Sequence, residues 1–243
     1  MRILRLPALL AVSATLLMFW LPSCSNKISN PDPQLLLLKA DSAAASVQSA
    51  SYTLLRVHSR DKDTGYIEYN VLVKKTAQDA YGFSYRIDEP GKAYAIYHQG
   101  CFMLVNPRDR IAMVPRPSSN PLDFAQTYRH VIDYVIKKEP DVTIGPKTRN
   151  LLFLGTDETG GRECYILSKC DTTPEFHITD ATYYLDMNSF MIIKYLYEEK
   201  DMAGRNIRSD MVLIRDLQLN RPIDDRKLDC EIPSGYKKEV IGM

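Results

Sequence analysis

Few reactive side chains of this chain stand at the spacings that chemistry requires. His58, His98, His130 and His177 are far apart and have no carboxylate or cysteine companions at ligand spacing, so surface or half-buried histidines are expected rather than a metal site. Asp61-Lys62-Asp63 and Asp224-Asp225 pair charges where turns are expected, and neither continues as a calcium loop. No nucleophile elbow, phosphate-binding glycine loop or zincin motif occurs in the sequence, so no catalytic residue and no cofactor is assigned. Cys101, Cys164, Cys170 and Cys230 contain no CxxC spacing. In an exported protein their even count would allow three complete pairings. Cys164 and Cys170 sit on one apparent strand, about 20 Å apart if extended, so they should not pair with each other. Small buried hydrophobes in strands are the alternative reading of all four.

The remaining cysteine has a different setting. Arg2 and Arg5 give a positive start, and Leu9 to Leu21 form an apolar run broken only by Ser13 and Thr15. That run is too short and wrongly flanked for a membrane span, and it reads as a secretory signal peptide covering residues 1–23. Leu21-Pro22-Ser23-Cys24 follows directly, with leucine three before the cysteine and serine just before it. The pattern resembles the bacterial lipobox, which implies a diacylglycerol on the Cys24 sulfur and cleavage in front of it. A free or disulfide-bonded cysteine beside an ordinary cleavage site is the competing account. A lipid tether gains about 0.8 kcal/mol per buried methylene, and two or more acyl chains suffice to hold a domain at a bilayer.

Bulk composition narrows the partners. Without the leader, about 220 residues remain, enough for one large domain or two small ones. The balance of 31 Lys+Arg against 30 Asp+Glu stays near neutral once Arg2 and Arg5 are removed, which argues against nucleic acid as a partner. No second apolar run approaches the ~20 residues of a membrane span. The expectation is a body tethered to a membrane by its first residue.

Elements follow from the hydrophobic period. Residues 24–32 make a polar lipidated linker, and Asp32-Pro33 starts a helix that should end near Ser49, with Leu35, Leu38, Ala45 and Ser49 on one face. From Ser51 to Val114 the period becomes two. Ile67, Tyr69, Val71 and Val73 share one side of a strand, and Tyr81, Phe83, Tyr85 and Ile87 share one side of the next. Asn120 and Pro121 cap a second helix carrying Phe124, Tyr128, Val131, Ile132 and Val135 at helical spacing, closed by Lys137, Lys138 and Pro140. Strands return at 151–154, 163–169, 177–187, 191–198 and 207–216, with a last run at 227–232; Gly160-Gly161 reads as a hairpin turn. No composition break divides the chain, so residues 33–243 are read as one domain: mainly β with helices (α+β), a curved antiparallel sheet wrapped on one or two helices.

The carboxy-terminal third carries Tyr183-Tyr184-Leu185-Asp186, then Met191-Ile192-Ile193-Lys194-Tyr195, Arg215 to Asn220, and Ile232-Pro233-Ser234-Gly235-Tyr236. These resemble the turns and strands of the outer-membrane lipoprotein-sorting (LolA/LolB-like) superfamily, over roughly residues 33–236. The resemblance implies an incomplete barrel, lidded by helices, whose concave face holds acyl chains. Tyr69, Val71, Phe83, Tyr85, Tyr183 and Leu185 are the candidate ligand-binding residues on that face. The competing account is a packed core against the 124–135 helix. The fifteen tyrosines could mark a carbohydrate or peptide surface, or simply pack in strands with wet hydroxyls.

Three functions are weighed. The first is a non-enzymatic, lipid-anchored periplasmic protein that binds a lipid or lipoprotein acyl group, with a role in outer-membrane lipoprotein sorting. The second is an envelope sensing module on the same fold with a protein partner, which predicts a dry core and an exposed apolar patch. The third is an envelope glycan enzyme, which predicts converging carboxylates in a cleft. Ser25 is not the aspartate of inner-membrane retention, and no acidic cluster follows Cys24. The outer membrane, facing the periplasm, is the expected location.

Overall fold

The computed structural model describes residues 30–60, 63–137, 150–173 and 177–242. The leader, Cys24, Asp61, Lys62, Lys138 and Pro140 lie outside the described residues. Two antiparallel meanders meet at one seam. The first runs β1 (Ser49–Arg60), β2 (Asp63–Lys75), β3 (Phe83–Glu89), β4 (Ala93–His98), β5 (Cys101–Asn106) and β6 (Ile111–Pro115). The second runs β7 (Leu151–Thr159), β8 (Arg162–Thr172), β9 (Ile178–Asp186), β10 (Ile192–Lys200) and β11 (Asn206–Leu219). β1 pairs with β11 in a register that sets Leu54 opposite Ile214. With β12 (Lys237–Ile241), the result is one open twelve-stranded sheet whose ends are β12 and β7.

Period-two patterning explains why one face is apolar throughout. Pairing sets Tyr52 against Val71 and Leu54 against Tyr69. It then sets Val73 against Tyr85, Tyr85 against Tyr97, Val212 against Tyr195 and Tyr195 against Tyr183. Residues opposite each other in a ladder point to the same side, so these rings and branched chains share one inner face. Gly160 and Gly161 both adopt positive φ, at 60° and 74°, and close the β7–β8 hairpin as the sequence led one to expect.

Helices cover that inner face. α1 (Pro33–Ser46) starts at Asp32, whose side chain accepts from the Gln34 N–H, with proline in the first turn. It ends three residues earlier than expected, because the chain is already pairing as β1 at Ser49. Its buried stripe is Leu36, Ala40, Asp41 and Ala44, whereas Leu35 and Leu38 stay about half exposed, at 51% and 47%. Small residues at 40 and 44 let the helix backbone sit close to the sheet; the stripe predicted through Leu35, Leu38 and Ala45 was one residue out of phase.

The second predicted helix is broken. α2 (Pro121–Gln126) is capped by Asn120 as expected, and α3 (Arg129–Ile132) follows a gap at Thr127-Tyr128. There the Thr127 hydroxyl donates to the Phe124 carbonyl at 2.7 Å, and the backbone bonds tighten to three-residue spacing. The apolar positions still reach the core: Phe124, Ala125, Val131, Ile132, Val135 and Ile136 are all buried. Phe124 stacks on Phe102 of β5 with ring centroids 5.6 Å apart, while Tyr134 lies 6.2 Å from Tyr195 of β10. Those strands stand six places apart in the sheet, so the sheet wraps around this short segment.

The carboxy-terminal segment departs from the sequence reading. The run at 227–232 is not a strand; a 3-10 turn over Asp225–Leu228 takes its place. The segment crosses the outer face of β4 to β6, where Cys230 and Tyr236 pack on Ile96, Met103, Val105 and Ala112. The Ile232-Pro233-Ser234-Gly235-Tyr236 turn is closed by the Tyr236 N–H on the Pro233 carbonyl, with Gly235 at φ 80°. It launches β12 parallel to β6, so the sheet is mixed, not purely antiparallel. Among the described residues, no helix is long and apolar enough to cross a membrane.

Candidate functional site

All six candidate residues fall on the inner face. Val71, Phe83 and Tyr85 are buried, and Tyr69 is half-buried beside them; they belong to the cluster around the 121–136 segment. Leu185 is buried and Tyr183 half-buried in a second cluster, where Leu36, Leu37 and Ala40 of α1 pack on β7 to β9. The face therefore has two zones. Under the helical segment it is a filled core. Beside it runs a band of half-buried rings: Tyr69, Tyr134, Tyr183 and Tyr195.

Two buried tyrosines hold the helical segment down. The Tyr52 hydroxyl on β1 donates to the Val131 carbonyl at 2.9 Å, and the Tyr85 hydroxyl on β3 donates to the Ala125 carbonyl at 3.0 Å. The Val131 carbonyl lies in the last turn of α3, where no intrahelical donor follows, and the Ala125 carbonyl accepts the phenol in addition to the Tyr128 N–H. Burial raises both phenols well above their ordinary range, which keeps them protonated and donating. Lys137 closes the segment by pairing with Asp41 of α1, and the Lys137 N–H donates to the Ala44 carbonyl. Tyr81 differs: its hydroxyl is buried without a hydrogen-bond partner, and burial pushes its pKa up to about 12.

Beside the ring band lies one part-buried charge pair. Arg56 is in phase with Tyr52 and Leu54 on β1, and Asp210 is in phase with Val212 and Ile214 on β11. Arg56 Nε donates to Asp210 Oδ1 at 2.9 Å, and a second guanidinium nitrogen contacts Oδ2. This fork pairing holds Arg56 charged and raises its pKa. Tyr134 and Tyr69 lie near enough to act on the guanidinium, so an apolar-aromatic floor carries a single compensated polar point. Burial raises the phenols of Tyr69, Tyr134 and Tyr183, so the band is neutral at physiological pH. Sequence reasoning passed over Arg56 and Asp210. The available signal was a charged side chain falling on the apolar phase of a strand.

Other polar features are structural. Asp186 ends the Tyr183-Tyr184-Leu185-Asp186 run. Its Oδ1 accepts from the backbone N–H groups of Asn188 and Ser189, at 2.8 and 3.3 Å, and its Oδ2 pairs with Arg162 at 2.5 Å. Burial opposes its charge, but the Arg162 bond and the two N–H donors prevail and hold it below the ordinary carboxylate range. Asn220 Oδ1 accepts from the Gln48 N–H at 2.7 Å, tying the end of β11 to the start of β1. Each remaining histidine partner is separate: His98 meets Ser84, His130 the Thr127 carbonyl, and His177 Glu199. Among the described residues, no three His, Cys, Asp or Glu side chains converge on a metal-sized site. A rim cleft of about 690 Å³ lies between the β2–β3 loop, the β4–β5 turn and the start of α2. Its carboxylate, Asp79, accepts from the Tyr97 hydroxyl and the Tyr81 N–H.

Comparison with known proteins adds backbone likeness at low identity. No family model matches the sequence, and no curated protein matches it. Among solved structures, the chain is similar to MucB (14% identity, TM-score 0.49), covering 82% of this chain and 62% of that one. It is similar to lipoprotein LppX of Mycobacterium tuberculosis (11% identity, TM-score 0.48), covering 83% and 100%. It is also similar to a domain from Vibrio parahaemolyticus described as an outer membrane lipoprotein-sorting protein (10% identity, TM-score 0.34), covering 81% and 95%. The chain thus spans about three fifths of the length of MucB.

Proposed function

We propose that this protein is a non-enzymatic, lipid-anchored binding protein of the bacterial envelope, a single domain over residues 33–243 tethered at the outer membrane through Cys24. Its inner face holds an acyl chain of a lipid or lipoprotein. The half-buried ring band of Tyr69, Tyr134, Tyr183 and Tyr195 carries this reading. A sealed core buries such rings completely, whereas these keep exposed area next to the packed core that two phenol bonds and the Lys137–Asp41 pair hold in place. An acyl chain laid on the band removes apolar surface at about 25 cal/mol per Å². The Arg56–Asp210 pair offers an orienting point for a polar headgroup.

Native mass spectrometry of protein purified without detergent, followed by titration of the delipidated chain with palmitate, tests the proposal. Retained lipid, or saturable palmitate binding weakened tenfold or more by Tyr195→Ala, is the expected result. A chain that never retains or accepts palmitate in any preparation refutes it. A protein partner is the second reading, favoured by Leu152 and Leu154, which are exposed on the terminal strand β7.

A further inference from the structure

We infer that Cys101 and Cys230 form a redox-active cysteine pair whose disulfide staples the carboxy-terminal segment to the outer face of the sheet. Cys101 opens β5 and shares its outward phase with Met103 and Val105. Cys230 packs on that same outer cluster although it lies 129 residues away in sequence. The Cys101 Sγ sits 4.0 Å from the Cys230 carbonyl oxygen, to which its S–H donates, so the two cysteines are in direct contact. Cys164 and Cys170 lie far off on β8, opposite Asp186 and Asp180, and take no part.

The pair is chemically asymmetric. Interaction with Cys230 draws the Cys101 pKa down to about 7, while the same interaction and burial push the Cys230 thiol up. Cys101 is therefore the thiol of the pair that deprotonates first, and its thiolate can attack a disulfide. An oxidant of the disulfide class, such as an oxidoreductase disulfide or oxidised glutathione, supplies the two electron-accepting sulfurs. The Cys101 thiolate attacks one of them, forming a mixed disulfide and expelling the other as a thiolate. Cys230 then gives its proton to solvent, and its thiolate attacks the Cys101 sulfur, expelling the second thiol. Two protein thiols become one S–S bond, and one oxidant disulfide becomes two thiols. The product links β5 to the segment that covers Ile96, Met103, Val105 and Ala112 and delivers β12 to β6.

The test oxidises the full chain with oxidised glutathione, blocks remaining thiols with iodoacetamide, and maps unreduced peptides by mass spectrometry. One cross-linked pair, Cys101 with Cys230, is expected, lighter by about 2 Da than the sum of its reduced peptides. Limited proteolysis supplies the second readout. Residues 221–242 should be cleaved at least tenfold more slowly in the oxidised chain, and that protection should vanish in both Cys101→Ser and Cys230→Ser but persist in Cys170→Ser. Alkylation of both Cys101 and Cys230 after oxidation, or a link from either to Cys164 or Cys170, overturns the inference. Equal cleavage of oxidised and reduced chains overturns the stapling role.

Discussion

Replacing Tyr52, Tyr85 or Tyr81, whose hydroxyls are all buried, by phenylalanine removes one oxygen and leaves the ring, so the cost reports the hydroxyl alone. In Tyr52→Phe the Val131 carbonyl loses the donor that holds it at 2.9 Å in a buried setting. In Tyr85→Phe the Ala125 carbonyl keeps the Tyr128 N–H at 3.2 Å as a second donor. A net hydrogen bond is worth about 1 kcal/mol, and a stranded buried carbonyl adds about another. Tyr52→Phe should therefore destabilise by about 2 kcal/mol and Tyr85→Phe by about 1 kcal/mol. Tyr81→Phe should be neutral or stabilising by up to about 1 kcal/mol, because its buried hydroxyl has no partner to lose. One or two kcal/mol shifts an opening equilibrium about 5- to 30-fold. If the two phenol bonds hold the helical segment rather than the sheet, amide exchange should accelerate by that factor in residues 121–136 and far less in β1 and β11. Hydrogen-exchange mass spectrometry resolves the two regions. Uniform acceleration across the chain, or a Tyr81→Phe cost equal to that of Tyr52→Phe, would show that ring packing and not the hydroxyl latch decides the stability.

Further outcomes follow from individual contacts. Asp186→Ala should cost about 2–3 kcal/mol by thermal unfolding, through lost turn bonds and the unpaired Arg162, while Asp186→Asn should recover the part due to the Asn188 and Ser189 donors. Because the folded pKa of Asp186 lies below its unfolded value, its contribution is complete above about pH 4 and fades as pH falls through the folded pKa. Acid titration of Asp186→Asn should accordingly show a shallower loss of stability there than the native chain. Arg56→Met leaves the buried Asp210, among the described residues, with the 3.7 Å contact to Arg208, and should cost about 2 kcal/mol by denaturant unfolding, below the full buried-pair penalty because Arg56 is partly solvated. Cys24→Ala should move the chain from the membrane to the soluble fraction with an unchanged circular dichroism spectrum; persistent membrane association would remove the tether from the proposal.

The strands of the first meander and most of the second follow directly from alternation of Val, Ile, Tyr and Phe with polar residues. That pattern is local: a pleated strand with one buried face can be built only one way from it. The same alternation places all six candidate side chains on one side. The motif residues of the carboxy-terminal third could be read as turns because Asp186, Asn220 and Gly235 act on neighbours a few residues away or at one strand junction. Where a decision depended on distant chain, the reading failed. The phase of α1 was set by which residues meet the sheet, and the hydroxyl donors that reach Val131 and Ala125 come from β1 and β3, 79 and 40 residues away. The direction of β12 was set by the outer cluster that the tail crosses.

By itself, the sequence determined most of the strands of the two meanders, which side of each is apolar and where the chain turns, since these depend on steric and hydrophobic periods within a few residues; it did not determine β12. Only the tertiary structure decided which strands are neighbours, that Arg56 meets Asp210 across 154 residues and that Cys101 meets Cys230 across 129. The first pair forms where the two meanders close on one seam and the second where the tail crosses the outer face of the sheet, and no local period encodes either meeting.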